Sequence, residues 1–145
     1  MYRIPVYRVQ LVREKSQPAE SKHINSPFDA FKVLGAMLEN EDRENFVVMM
    51  VDTKHKIIGI NTVSVGTLNS SPVHPREVFK PAMLANAAAV ILGHNHPSGE
   101  VKASPEDIEV TRRLEDAGAI LGIEVLDHVI VGHGTYYSLK EAGCF

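Results

Sequence analysis

The chain has 145 residues, 44% hydrophobic and 23% charged, with seven histidines and no tryptophan, which suits one folded domain and counts against wholesale disorder. Its lone cysteine, Cys144, excludes an intramolecular disulfide framework and any cysteine-rich zinc module, so metal ligands would have to be His, Asp or Glu. A net charge of −3 and a pI near 6.1 count against a dedicated non-specific nucleic-acid binder. Met1–Pro5 has no signal-peptide pattern and the longest apolar run is Ala87–Leu92, so the sequence reads as cytoplasmic with no membrane partner.

Tyr2–Val12 mixes Ile4, Val6, Val9 and Leu11 with polar residues around Pro5 and reads as an edge strand or extended arm. Residues 1–25 are accordingly set apart as arm and loop, ahead of a domain over 26–145. Ser26-Pro27 starts a helix, and Phe28, Phe31, Leu34, Met37 and Leu38 follow at helical spacing to about Asn40. Phe46–Val51 is a continuous apolar run of strand length, Asp52–His55 a turn, and Ile57–Val65 the returning strand of a hairpin. Leu68–Pro75 is loop, and Arg76–Asn86 is patterned as a helix that Pro81 should kink or delay.

Ala88–Gly93 is a second fully apolar strand, and His94–Ala103 is loop. Ser104-Pro105-Glu106-Asp107 combines a cap, a proline at the first helical position and first-turn acids. Ile108, Thr111, Leu114, Ala117 and Leu121 mark the buried stripe of that helix, which Gly122 ends. Ile123–Val131 and Thr135–Leu139 are two more short strands. The order β-α-β-β-α-β-α-β-β gives a mixed sheet flanked by helices, an α/β sandwich.

Chemistry concentrates in Gly93-His94-Asn95-His96-Pro97-Ser98-Gly99 and Ser104-Pro105-Glu106-Asp107. Strand geometry throws His94 and His96 to one side and Asn95 to the other. A Gly/Pro loop can fold Asp107 back onto the two imidazoles as a third ligand, leaving a fourth position for water, the arrangement of a catalytic zinc site. Singly, each residue has a plainer explanation: strand-end polar caps, a helix N-terminal acid, a serine N-cap. Together they point to a metal site.

His94-x-His96, seven residues, Ser104, two residues and Asp107 resemble the H-x-H-x7-S-x2-D signature of the JAMM/MPN+ metalloprotease domain. Three longer blocks, 66–79 (GTLNSSPVHPREVF), 94–99 (HNHPSG) and 126–132 (LDHVIVG), are similar to the RadC family. The resemblance runs from about Ser26 to the C-terminus. It implies an MPN fold, a mixed and mainly antiparallel β-sheet flanked by helices in a cytidine-deaminase-like sandwich. It also implies one zinc ion per chain on His94, His96 and Asp107, with Ser104 hydrogen-bonding the developing oxyanion. The family's general base, a glutamate ahead of the strand after the first helix, falls on Glu44, with Glu41 as competitor. His74 and His128 lie in shared blocks and are expected to be structural hydrogen-bonding groups. His23, His55 and His133 are expected to be solvated, and Arg112-Arg113 to be an exposed helix face.

The expectation is therefore a zinc-dependent peptidase or isopeptidase-type hydrolase acting on a peptide or protein that the sequence does not name. One rival is a DNA-associated protein of repair or mobile elements, as the RadC resemblance suggests. Full-length RadC-type proteins carry a helix-hairpin-helix region ahead of this domain. With only residues 1–25 before its first helix, this chain is expected to match domain-only members without direct DNA binding. A second rival is a non-catalytic MPN interaction module, which would typically lack the ligands. A zinc deaminase is excluded by the missing Pro-Cys-x-x-Cys element. The arm over Tyr2–Val12 could pair with a second copy in a homodimer.

Overall fold

The two apolar runs that the sequence marks as buried strands lie side by side at the centre of one sheet. The protein is described by a computed structural model covering residues 1–66 and 73–145. The elements are α1 (Pro27–Leu38), β1 (Asn45–Val51), β2 (Ile57–Val65), α2 (Pro75–Leu84), β3 (Ala89–Asn95), α3 (Pro105–Leu121), β4 (Glu124–Val131) and β5 (Tyr136–Ser138). They form a five-stranded sheet in the order β2-β1-β3-β4-β5. β3 and β4 are parallel and every other neighbouring pair is antiparallel. The mixed, mainly antiparallel sheet with its three helices agrees with the expected MPN-type fold.

Both faces of the central strands are covered, which is why β1 and β3 read as continuous apolar runs rather than alternating ones. On one face Phe46, Val48, Met50, Val90 and Leu92 pack with Val78, Phe79 and Ala82 of α2 and Leu114 of α3. On the other, Val47, Met49, Ile91, Val129 and Val131 pack with Ala30, Val33, Leu34 and Leu38 of α1. A parallel pair needs a crossover, and α3 supplies it between β3 and β4. The N-terminus of α3 therefore returns to the carboxyl end of β3.

β4 carries one irregularity that matters for the site. Val90 pairs with Val125, but the next residue, Ile91, pairs with Asp127, so Leu126 is extra. Val125 accordingly belongs to the α2/α3 core, whereas Val129 and Val131 belong to the α1 core. The bulge moves the even-numbered residues of β4 beyond it, His128 among them, onto the α3 side.

Several expectations are corrected. Residues 1–19 form no strand, and Tyr2, Ile4, Val6, Tyr7 and Val9 are exposed; no neighbour supplies ladder bonds to this arm, and Pro5 lacks a donor. β3 runs on through His94 and Asn95, which were expected in a loop, because β1 and β4 continue to pair with it there. α2 starts at Pro75 without delay and runs past Pro81, whose ring is buried; core packing offsets the backbone bond a proline forfeits. The buried stripe of α3 is Asp107, Thr111, Leu114 and Gly118, while Leu121 is exposed. The helix is turned so that its site-bearing residues face the sheet. The loop expected over Leu68–Pro75 falls largely on residues 67–72, outside the described ones. Among the described residues, no helix is long and apolar enough to cross a membrane.

The turn from α3 into β4 depends on Gly118. The Gly122 and Ile123 N–H groups both bond to the Gly118 carbonyl, Gly122 at a left-handed φ of 74°. A Cβ at position 118 would run into the Ile123 carbonyl oxygen and lie 3.2 Å from the Phe79 ring. Gly118→Ala is expected to cost about 1–3 kcal/mol, read as a lowered urea midpoint, with metal uptake unchanged.

Candidate metal centre

The site forms where the carboxyl end of β3 meets the first turn of α3. His94 is the sixth residue of β3 and His96 follows its end, so alternation turns both rings toward α3. Their Nε2 atoms lie 2.9 Å apart. Asp107 brings Oδ1 to 3.4 Å from His94 Nε2 and Oδ2 to 3.5 Å from His96 Nε2. Four-coordinate ligands held about 2.0–2.2 Å from a metal sit about 3.3–3.5 Å from one another. Each His–Asp separation matches that spacing, though to a different oxygen of the carboxylate, and the imidazole pair is somewhat closer; one ligand atom from each residue lies within 4.8 Å of the others. The three residues form a cluster that could hold a metal ion.

Local sequence explains why Asp107 sits there. Ser104 Oγ accepts from the Asp107 N–H at 3.1 Å, and Asp107 Oδ2 accepts from the Ser104 N–H at 2.8 Å, a reciprocal capping box. The cap thus aims the carboxylate, and the plain N-cap reading of Ser104 holds. Because Ser104 Oγ acts there as acceptor, the cap does not use its hydroxyl hydrogen, which has no acceptor among the described residues. On the other side, His96 Nδ1 donates to the Glu100 carbonyl at 2.7 Å, leaving Nε2 without that proton in the neutral ring. The loop doing this is held by His96 N–H to Val131 O at 3.0 Å and Gly99 N–H to His96 O at 2.9 Å. It lies directly against Gly132, where a Cβ would meet the Gly99 carbonyl oxygen.

Glu44 precedes β1 and is half-buried. Phe46 is the first residue of β1 to pair with β3, opposite His94, so Glu44 lies just beyond that end of the pairing. Its charge helps to raise the His96 imidazole. Glu41 is exposed in the connection after α1, with its N–H bonded to the Leu38 carbonyl. Sequence reasoning gave Asn95 no task, yet its side chain reaches across to this segment. Oδ1 accepts from the Asn45 N–H at 2.7 Å and Nδ2 donates to the Arg43 carbonyl at 3.0 Å, clamping the backbone on either side of Glu44. The signal was present in its place between two inward histidines, which sends it to the neighbouring strand.

His128 is buried, as a structural hydrogen-bonding histidine would be, with Nε2 2.7 Å from His94 Nδ1. Phe46 stacks beside the His94 ring, with centroids 6.0 Å apart. His74 stands at the N-cap of α2 without a side-chain capping bond. His23, His55 and His133 are exposed, as are Arg112 and Arg113.

Charge follows this geometry. Burial by itself would raise the Asp107 carboxyl, but the His94 and His96 imidazoles and the Ser104 N–H outweigh it and hold the group well below the ordinary carboxylate range. Asp107 in turn raises His96, against burial that lowers it, with the Glu100 carbonyl and Glu44 adding to the rise. Burial drives His128 well below the usual imidazole value, and the positive field of His94 adds to that.

The RadC-like JAB domain family matches residues 24–144. The chain belongs to that family. Among curated relatives, a UPF0758 protein of Rubrobacter xylanophilus is 55% identical over 136 residues, 94% of this chain and 58% of that protein. One from Desulfitobacterium hafniense is 55% identical over 128 residues, 88% of this chain and 56% of its own. One from Methanosarcina mazei is 46% identical over 122 residues, 84% and 53% respectively. The chain spans a little over half the length of these curated relatives.

Two outcomes follow for this RadC-like JAB domain. In the metal-free protein His96 keeps its proton to a higher pH than a free imidazole, and a metal must displace it. Metal uptake near neutral pH should release protons, seen as a buffer-dependent heat in calorimetry, and affinity should weaken as pH falls through the raised His96 value. Gly132→Ala should push away the loop that orients His96 and weaken metal binding about tenfold or more, measured by chelator competition, whereas Gly118→Ala should not.

Proposed function

We propose that this domain is a zinc-dependent hydrolase of amide bonds, a peptidase or isopeptidase of JAMM type, acting on a peptide or protein substrate. The observation that carries the reading is the convergence of two imidazole nitrogens and one carboxylate at a strand end, with a further carboxylate, Glu44, just before the strand that pairs there. A donor set of two histidines and one aspartate without thiolate suits zinc, and three protein ligands are the number found in catalytic zinc sites. Zinc bound there supplies a Lewis acid that makes water nucleophilic near neutral pH.

The remaining chemistry falls to this chain's own side chains. Glu44 takes a proton from the attacking water and passes it to the leaving amine. The free hydroxyl hydrogen of Ser104 donates to the oxyanion that develops on the scissile carbonyl. Asn95 clamps the backbone on either side of Glu44, so the base is held by a strand end rather than by a free loop.

Metal analysis tests the reading first: about one zinc per wild-type chain, and loss of it in His96→Ala and Asp107→Ala. A peptide-library cleavage screen on the zinc-loaded protein then tests the reaction. Glu44→Gln should keep zinc and lose about 10²–10⁴-fold in turnover. Ser104→Gly keeps most of the helix stability that Ser104→Ala would lose, and is expected to lower turnover about 10²–10³-fold. Zinc uptake that survives removal of both histidines would overturn the site, and full zinc loading with no cleavage of any library member would favour the non-catalytic module.

A further inference from the structure

A chain of short hydrogen bonds runs from the α3 backbone to the back of His94, and its direction can be assigned. Thr111 lies one turn beyond Asp107 on α3 and is fully buried. Its Oγ1 is 2.7 Å from the Asp107 carbonyl oxygen and 2.6 Å from His128 Nδ1. His128 Nε2 is 2.7 Å from His94 Nδ1, and His94 Nε2 faces Asp107 and His96. Two oxygens 2.7 Å apart require a hydrogen between them, since otherwise lone pairs would face each other. The carbonyl has none to offer, so the Thr111 hydroxyl hydrogen must point to Asp107 O.

The rest follows by elimination. With its hydrogen committed, Thr111 Oγ1 can only accept, so His128 carries a proton on Nδ1. The His128 ring is wholly buried between a hydroxyl and an imidazole, and the carboxylate that reaches this residue, Asp127, takes its backbone N–H rather than the ring, an environment that keeps the ring neutral and Nε2 bare. A bare Nε2 on His128 accepts, so the proton between the two rings belongs to His94 Nδ1. His94 Nε2 and His96 Nε2, 2.9 Å apart, need a hydrogen between them as well; with His94 Nε2 bare that hydrogen is carried by His96, and a metal takes its place.

We propose that Thr111 and His128 are positioning residues that fix the His94 proton on Nδ1 and so present its Nε2 bare to a metal. The inference rests on the metal-site reading above, and it accounts for why His128 faces α3 at all. On the opposite side the Glu100 carbonyl performs the same service for His96 with a single bond. A ligating histidine commonly has its second nitrogen fixed in this way by a neighbouring acceptor. Here the acceptor is another histidine, whose own tautomer is set by a helix hydroxyl.

The test is nitrogen-15 NMR of the imidazoles in metal-free protein near neutral pH, with zinc affinity by chelator competition, for wild type, Thr111→Val and Thr111→Ser. In wild type, His128 and His94 should both carry their proton on Nδ1. Thr111→Val keeps the side-chain shape and removes the hydroxyl; the His94 proton should then shift toward Nε2 and zinc binding weaken about 10–100-fold, with Thr111→Ser restoring both. A His94 proton on Nε2 in wild type, or Thr111→Val with unchanged tautomer and affinity, overturns the proposal. Should Thr111→Val fail to fold, the wild-type proton positions decide alone. Because those positions are read without metal, absence of zinc binding would sink the functional reading without being mistaken for failure of the chain.

Discussion

A carboxylate that is 2% exposed, at the foot of α3, is the constraint around which this molecule is arranged. An ionised group so far from water is unfavourable by several kcal/mol unless charge and hydrogen bonds compensate. Asp107 receives compensation from three directions: the Ser104 N–H, His94 and His96. Each comes from a different piece of chain, so helix cap, strand end and loop must all be in place before the carboxylate is stable where it is. The site and the β3–α3–β4 crossover are therefore one cooperative unit.

The same economy extends outward. Among the described residues, every buried side-chain nitrogen and oxygen has a partner, and those around the site are arranged as clamps rather than as isolated pairs. The Asn95 carboxamide ties the carboxyl end of β3 to the segment before β1, the Glu100 carbonyl holds one imidazole, and His128 with Thr111 holds the other. Low dielectric makes such networks costly when incomplete and rigid when complete. Rigidity of this kind is what a metal centre needs from its surroundings, since small ligand displacements change coordination.

Much of this was legible in the sequence because it is local. The Ser-Pro-Glu-Asp helix start, the Gly122 stop and the continuous apolar runs each have a short-range physical cause, and the spacing of His94, His96 and Asp107 follows from where a strand ends and a helix begins. What stayed hidden is long-range. Nothing in the text of β4 marks Leu126 as an extra residue, because a bulge is fixed by the partner strand. Thr111 looks like one more buried position on an amphipathic helix until His128 is seen beside it. The mix of apolar and polar residues in Tyr2–Val12 allowed an edge strand or an extended arm, but a strand exists only where another edge receives it, and among the described residues no strand pairs with that arm.

The bulge in β4 turns the wiring of the site into a matter of counting. Side chains alternate along a strand, so the face of His128 is set by Leu126 being skipped in the pairing rather than by which side chain residue 126 carries. Paired straight through from Val125, the same residues would set Asp127 beside Leu92 and carry His128 to the α1 side, away from His94. One residue inserted between Asp127 and His128, which leaves every motif residue in the text, would thus disconnect this centre, whereas loss of Leu126 would straighten the pairing and leave His128 facing α3.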